Sequence, residues 1–306
     1  MLFTESFLRK LERMSVMSRR MMSGQLQGER RSPKRGQSVE FADFRPYTPG
    51  DDIRRIDWNA YARLERFFLK LFMEEEDLTV HILVDVSRSM NWGQPNKLHY
   101  ALRTAGAIGY IALAGLDRVT VTTLGNNRAE NFPPHRGKHS STALFSFLET
   151  FLASNSPTHM QSSSQTSLAP AINSYAVRAK NPGPLIIISD LFEPLSKSSN
   201  QSNYLAAINL LARKGFEVNL LHILSPDEVK PKLSGDLKLI DIESGMEVEI
   251  TADYDLLQRY NNGLIDWQAE LRSFCRARSM NYIPVETILP LEELLFSWMR
   301  QYSVLR

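Results

Sequence analysis

The fold is decided by the stretch TVHILVDVSRSM at residues 79–90, together with PLIIISD at residues 184–190. Each stretch begins with a short, almost uninterrupted run of β-branched and other apolar residues, which is typical of a strand covered on both faces of a parallel sheet. Each run ends in an aspartate, Asp85 in the first and Asp190 in the second. The two stretches therefore predict central strands whose carboxyl ends carry acidic side chains.

Strand and helix patterns alternate over the rest of the chain after residue 78. Residues 236–251 alternate between apolar and polar on both sides of Ser244-Gly245, which predicts a β-hairpin. The other predicted strands lie at residues 118–125, 129–132, 216–224 and 281–287, and the predicted helices at 97–116, 141–151, 168–179, 204–214, 255–278 and 291–302. Such alternation predicts an α/β fold with a doubly wound, mostly parallel sheet.

The chain before this pattern divides into two predicted segments. In residues 1–35, apolar positions at helical spacing predict an amphipathic helix over residues 3–22, and a polar stretch rich in basic side chains predicts a mobile arm. Residues 36–78 are dense in aromatic and oppositely charged side chains, and we expect them to brace the sheet through an ion network. The sheet domain and its C-terminal helices are assigned to residues 79–306.

Composition argues against several classes of function and indicates where in the cell the protein works. The formal net charge of +2 gives no electrostatic case for a nucleic-acid binder. Cys275 is the single cysteine, so no intramolecular disulfide or thiolate metal cluster can form, and it is expected to pack within a helix. The N-terminus lacks the apolar run of a secretory signal, and the longest weakly polar stretch, residues 105–116, is too short to span a membrane. A cytoplasmic protein is expected.

Oxygen-bearing side chains follow the two central strands. Asp85, Ser87 and Ser89 end the first strand, Asp190 ends the second, and Thr166 opens a helix after a Ser-rich loop. Ligands of such sheets bind beyond the carboxyl ends of the strands, where the strand order reverses. All of these ligands are oxygens, which suit a hard cation, Mg²⁺ or Mn²⁺. Because most of them are neutral hydroxyls, an acidic side chain from a protein partner could complete the shell.

The pattern Asp-x-Ser-x-Ser, a separate Thr and a later strand-ending Asp resembles the metal-ion-dependent adhesion site (MIDAS) of von Willebrand factor A domains. The resemblance implies direct ligation by Ser87, Ser89 and Thr166, with Asp85 and Asp190 ligating or holding metal-bound water. It also implies a sheet in the order 3-2-1-4-5-6, in which the two Asp-bearing strands are neighbours.

A longer resemblance covers residues 36–288. The segment GQSVEFADFRPYTPGDDIRRIDWNAYARLERFFLK at residues 36–70 and the segment LSPDEVKPKLSGDLKLIDIESG at residues 224–245 are similar to the bacterial family called domain of unknown function 58 (DUF58). Members of that family often accompany MoxR-type AAA+ ATPases. The resemblance therefore implies a non-enzymatic adaptor that acts beside such an ATPase or its client, in the assembly or maturation of other proteins. Many members carry membrane-spanning helices before the signature, where this chain has the basic amphipathic helix.

Several alternatives remain open from the sequence. Asp85, Ser87 and Ser89 could be turn and helix-capping residues. A metal-dependent phosphoester hydrolase could use Asp85 or Asp190 to hold a water-activating ion. However, Ser87 stands where a haloacid-dehalogenase-like enzyme needs its second Asp, and the chain has no P-loop motif and no G-x-S-x-G motif. A third alternative is a scaffold with a vestigial metal site, whose N-terminal helix lies on a membrane surface. His81 is expected to be a packed core residue.

Overall fold

The computed structural model describes residues 2–18, 40–49, 51, 53–73, 78–125, 129–154, 168–192, 204–241 and 245–306. The chain forms two compact units. One unit contains residues 1–19 and 78–306, and the other contains residues 20–77.

The first unit is built on a six-stranded sheet. In chain order its strands are β3 (Thr79–Asp85), β4 (Arg118–Leu124), β5 (Asn131–Arg136), β6 (Pro184–Ser189), β7 (Glu217–Leu224) and β10 (Asn281–Glu286). Their order across the sheet is β10-β7-β6-β3-β4-β5, and every neighbouring pair is parallel except β4 with β5. Numbered within the sheet, this is the predicted order 3-2-1-4-5-6. The doubly wound, von Willebrand factor A-like fold is confirmed.

The register of the two central strands brings the predicted metal ligands together. β3 pairs with β6 from His81 opposite Leu185 to Val84 opposite Ile188, so Asp85 and Asp190 follow adjacent strand ends. The strand order reverses at this point of the sheet, because β4 and β6 lie on opposite sides of β3. This is the position at which open α/β sheets bind ligands.

Helices cover both faces of the sheet. The helices of this unit are α1 (Glu5–Leu11), α3 (Lys97–Ala114), α4 (Ser141–Ser154), α5 (Leu168–Arg178), α6 (Tyr204–Arg213), α7 (Pro226–Val229) and α8 (Tyr254–Arg276). A last helical segment runs through Leu291–Glu293, a π-helical turn at Leu294–Trp298, and Met299–Gln301. On β3, Val80, Ile82 and Val84 pack with α1, α3 and α4, whereas Leu83 packs with α5 and α6. Because helices bury the side chains on both faces of the sheet, most residues of β3 are apolar, and the strand appears in the sequence as an almost continuous apolar run.

The N-terminal segment differs from the expectation. The helix covers only Glu5–Leu11 instead of residues 3–22, and Phe3, Phe7 and Leu11 are buried in the same core as α3. After the helix the chain is extended, with a β-bridge between Val16 and Leu305 and backbone hydrogen bonds between Ser15 and Arg306. The amphipathic face is therefore part of the sheet unit. The polar stretch at residues 23–38, which is predicted to form the mobile arm, lies outside the described residues.

The second unit is a small antiparallel pair with a helix between its strands. β1 (Glu40–Pro46) pairs with β2 (Phe68–Met73), and α2 (Trp58–Leu64) lies between them in sequence. Of the predicted ion network, Arg45 Nη2 lies 2.5 Å from Asp51 Oδ1. The Asp57 carboxylate accepts hydrogen bonds from the first turn of α2 and caps that helix. Whether the segment 36–78 braces the sheet stays a prediction.

The remaining predicted elements are close to their observed bounds. The hairpin is formed by β8 (Gly235–Ile240) and β9 (Glu247–Ala252), with Gly245 in the left-handed region at φ +72°. Cys275 is fully buried in α8, as predicted. Within the described residues, no helix combines the length and the apolar character needed to cross a membrane.

Candidate metal centre

Four of the five predicted metal ligands lie at the carboxyl ends of β3 and β6. Asp85 ends β3, Ser87 and Ser89 follow it in the connection to α3, and Asp190 follows β6 directly. Asp85 and Asp190 are each 1% exposed. Thr166, the fifth predicted ligand, lies outside the described residues. The sheet thus brings two carboxylates and two hydroxyls to one rim.

Asp85 is held from both of its carboxylate oxygens. The backbone N–H of Ser87 donates to Asp85 Oδ1 at 2.9 Å, and the Ser189 hydroxyl donates to Asp85 Oδ2 at 2.6 Å. Burial, and then the negative charge of Asp190, raises the pKa of Asp85 to about 7. The hydrogen bonds from Ser189 and Ser87 favour the ionised carboxylate and lower the pKa, so burial and the charge of Asp190 outweigh them.

The two serine hydroxyls face each other. Ser87 Oγ and Ser89 Oγ lie 3.0 Å apart. Gly125, which follows β4, packs against the turn between Asp85 and Ser87: a Cβ at this position would lie 2.8 Å from both Asp85 Oδ1 and Ser87 N. Gly125 also has φ +91°, in the left-handed region that glycine tolerates. The turn that presents the serines therefore depends on a residue that the motif does not contain.

Asp190 has a different environment, because it is paired with a lysine. Lys97 Nζ lies 2.7 Å from Asp190 Oδ2 and 2.5 Å from Glu228 Oε1, and the Lys97 side chain is fully buried. The backbone N–H of Phe192 donates to Asp190 Oδ1 at 3.2 Å. Glu228 in turn accepts from the backbone N–H of Ser225 at 2.7 Å. Both oxygens of Asp190 are thus engaged by donors of the protein.

His222 supports Asp190 from β7. Its Nε2 lies 2.9 Å from the backbone carbonyl oxygen of Asp190, and its Nδ1 lies 2.7 Å from the hydroxyl of Tyr282. Burial lowers the pKa of His222 to about 4, so the ring is neutral at neutral pH. With its Nε2–H donating to the carbonyl, the ring fixes the backbone that carries Asp190 and adds no positive charge.

Sequence reasoning missed three residues that organise the rim, Lys97, Gly125 and Glu228, and it placed Ser189 at the rim without giving it a role. One signal was available for Lys97, which occupies the first turn of α3. A positive charge there is unfavourable beside the helix N-terminus, so a lysine at this position needs acidic partners. Nothing in the local sequence identifies Asp190 and Glu228 as those partners.

The charges at the rim fit a divalent cation. Asp190 and Glu228 share the ammonium of Lys97, and Asp85 adds a third carboxyl group close to Asp190, so three acidic side chains accompany one basic side chain among these four groups. Burial is the larger cause of the raised pKa of Asp85, and the negative charge of Asp190 adds to it. In the part of the chain that the structure describes, no group of three or more His, Cys, Asp or Glu side chains could hold a metal ion. In the predicted ligand set, the hydroxyls of Ser87, Ser89 and Thr166 supply the other oxygens.

Comparisons with known proteins identify one family. A family model described as "Protein of unknown function DUF58" matches residues 43–270, which is well over half of the chain. The chain is 25% identical over 245 residues to the uncharacterized protein Rv1480 of Mycobacterium tuberculosis, covering 79% of this chain and 73% of that protein. The uncharacterized protein Mb1516 of Mycobacterium bovis matches with the same figures.

Solved structures with similar backbones have low sequence identity. An aerotolerance-related membrane protein from Bacteroides fragilis is 20% identical, with 68% of this chain and 91% of that chain covered and a TM-score of 0.42. The conserved hypothetical protein BatB from Bacteroides thetaiotaomicron is 19% identical, with 73% and 99% covered and a TM-score of 0.41. The VWA domain of SpRpn10 is 10% identical, with 70% and 90% covered and a TM-score of 0.36. The fold assignment rests on the strand order of this chain.

Proposed function

The chain belongs to the family of proteins of unknown function DUF58, and we propose that it is a non-enzymatic adaptor that binds a protein partner through a divalent metal ion. One observation carries the proposal. At the point where the strand order reverses, the hydroxyls of Ser87 and Ser89 face each other beside Asp85, a buried carboxylate that forms no ion pair with any described residue.

Ser87, Ser89 and Thr166 would ligate the ion directly, and Asp85 and Asp190 would ligate it or hold metal-bound water. Mg²⁺ or Mn²⁺ accepts such oxygen ligands and, when bound, supplies positive charge toward which a carboxylate of a partner can be drawn. All four oxygens of the two aspartates already accept hydrogen bonds from the protein, which favours a role through metal-bound water for both of them. The protein's contribution is to orient the two hydroxyls and to bury the negative charge that attracts the ion.

The proposed partner is a MoxR-type AAA+ ATPase or its client protein, in the assembly or maturation of other proteins. This part of the proposal comes from the resemblance to the family described above. The chemistry of the rim adds one requirement, which is that the partner presents an exposed acidic side chain. Nucleic acid is a poor match, because the rim has excess negative charge and the whole chain is nearly balanced.

A metal-dependent phosphoester hydrolase is the second candidate, and one observation favours it. The pKa of Asp85 lies near 7, which is suited to proton exchange at neutral pH. However, Asp85 is 1% exposed and both of its oxygens accept hydrogen bonds from the protein, so it has no access to a substrate. Binding is therefore the better-supported function. A membrane-surface scaffold is less favoured, because Phe7 and Leu11 of α1 are buried in the protein core.

Affinity capture from the source lysate tests the adaptor function. The full chain is used as bait in Mg²⁺ or in EDTA, beside the variant Ser87→Ala/Ser89→Ala. A matched control is Ser146→Ala/Ser273→Ala, which changes two exposed helical serines of the same unit. We expect a partner that wild type and control retain in Mg²⁺, and that is lost in EDTA and in the Ser87/Ser89 variant.

Partners that are retained equally under all of these conditions would contradict metal-dependent docking. Turnover of a generic phosphoester with Mg²⁺ or Mn²⁺, abolished by Asp85→Ala in a folded variant, would replace the adaptor function with the hydrolase. Both results can be obtained with the same purified proteins.

A further inference from the structure

A second concave site lies at the first turns of α3. A cavity of about 240 Å³ opens between these turns and the chain that follows β10. We call it the α3 cavity; its lining includes Asn96, His99, Tyr100 and Arg103 on one side, with Thr287–Leu291 on the other. None of these residues belongs to the rim around Asp85 and Asp190.

Three residues that line the α3 cavity carry a buried polar atom that has no hydrogen-bond partner among the residues that the structure describes. These atoms are the hydroxyl of Tyr100, Nε of Arg103 and the hydroxyl of Thr287. Tyr100 is 8% exposed and Thr287 is 2% exposed. A buried donor without a partner typically costs about 1–3 kcal/mol. Three such groups around one cavity point to a ligand that supplies the missing hydrogen bonds.

Arg103 gives the lining of the α3 cavity a positive charge, which favours an anion. Glu293, whose negative charge acts more weakly than Arg103 on the pKa of Tyr100, does not line the cavity. Arg103 forms no ion pair within the described residues, and its guanidinium lies 5.8 Å from the centre of the Phe3 ring. Burial and the charge of Arg103 lower the pKa of His99, so the imidazole adds no second positive charge at neutral pH. A single guanidinium matches a monoanion, and a carboxylate fits its planar donors.

The remaining wall is apolar. Pro95, Ile288, Leu289 and Pro290 line the α3 cavity beside the polar groups. The volume corresponds to roughly eight water-sized groups at about 30 Å³ each. A ligand of this size with one charged end and an apolar body would use both parts of the lining.

We propose that the α3 cavity binds a small organic carboxylate, with the carboxylate group on Arg103, Tyr100 and Thr287 and the apolar body against Ile288 and Leu289. The site is independent of the proposed metal centre, because no lining residue is a proposed metal ligand. Binding is therefore expected in EDTA as well as in Mg²⁺.

Ligand-observed NMR titration of the full chain tests the proposal, with benzoate as the probe and acetate and inorganic phosphate as comparators. Benzoate is expected to bind saturably and more tightly than the comparators. In Arg103→Met the affinity should fall roughly tenfold or more, since the charge-assisted hydrogen bonds are lost. Arg178→Met, at an exposed arginine on the other face of the sheet, is the matched control and should bind like wild type.

Tyr100→Phe separates binding from folding. The hydroxyl has no hydrogen-bond partner in the described part of the chain, so its removal should leave the melting temperature unchanged or raise it, and should weaken benzoate binding several-fold. If Arg103→Met does not fold, the affinity of Tyr100→Phe for benzoate tests the proposal. Benzoate that fails to saturate, phosphate that binds as tightly as benzoate, or full affinity in a folded Arg103→Met or Tyr100→Phe protein would each overturn the proposal.

Discussion

Asp85 and Asp190 lie at the ends of neighbouring strands, yet their carboxylates have different partners. Asp190 is paired with the buried ammonium of Lys97, whereas the donors that the described residues offer Asp85 are neutral, namely the Ser87 N–H and the Ser189 hydroxyl. The motif containing Asp85, Ser87 and Ser89 could be recognised from sequence because its residues are local. Lys97 could not be assigned in the same way, because its acidic partners are 93 and 131 residues away and meet it only in the folded chain.

Lys97→Met tests this division of charge. Removing the ammonium leaves two carboxylates, Asp190 and Glu228, without their buried cation. We expect the free energy of unfolding to fall by about 3–5 kcal/mol in urea denaturation. Lys180→Met, at an exposed lysine, is the control and should change stability by less than about 0.5 kcal/mol. A similarly small effect of Lys97→Met would mean that the buried ion pairs do not organise the rim.

Gly125→Ala tests the turn that presents the serines. The new Cβ would lie 2.8 Å from Asp85 Oδ1 and from Ser87 N, at a residue with φ +91°. We expect a loss of about 1–3 kcal/mol in unfolding free energy from the backbone conformation alone, together with weaker metal binding.

Gly263→Ala is the matched control for Gly125→Ala. Gly263 lies inside α8, and a Cβ there meets nothing within 4 Å. Alanine in an exposed helix interior should raise stability by roughly 0.5–1 kcal/mol. If the two variants behaved alike, the close approach of Gly125 to the Asp85 turn would have no energetic consequence.

At the scale of elements, burial made the strands predictable. β3 and β6 are buried along their whole length, so their composition alone identifies them. The N-terminal helix was predicted too long, because helical spacing continues in Met14 and Met17. Residues 15–17 instead pair with residues 304–306, and a contact between the two ends of the chain leaves no local signal.

His81 on β3 provides a pH-dependent prediction. It is 4% exposed, its Nδ1 hydrogen-bonds with the hydroxyl of Tyr175, and its Nε2 lies 2.8 Å from the carbonyl oxygen of Asn181. Burial lowers the pKa of His81 from 6.5 to about 4. Between these two pKa values the unfolded chain binds a proton at His81 and the folded chain does not. The stability that neutral His81 contributes is therefore fully present above pH 6.5 and is lost as the pH falls toward 4.

We expect His81→Gln to flatten the pH dependence of the unfolding free energy by about 1.4 kcal/mol per pH unit in this window. His139→Gln, at an exposed histidine, is the control. Urea denaturation between pH 7 and pH 4 provides the comparison. An unchanged slope in His81→Gln would show that burial does not hold His81 neutral.

At the scale of the whole molecule, the strand order brings the residues of the candidate site together. Because β6 lies directly beside β3, residues 85–89 and residues 189–190 meet at the reversal of strand order. The strand order followed from the resemblance to von Willebrand factor A domains, so this juxtaposition was predictable. The place of Thr166 stays a prediction, as do the metal ion and the ATPase partner.

The most direct test of a metal centre at the rim is a titration of the full, metal-free chain with Mn²⁺, measured by isothermal titration calorimetry. The account predicts one ion per chain, displacement by Mg²⁺, and a loss of affinity in Ser87→Ala/Ser89→Ala but not in the Ser146→Ala/Ser273→Ala control. No binding by wild type, or equal binding by the Ser87/Ser89 variant, would contradict it.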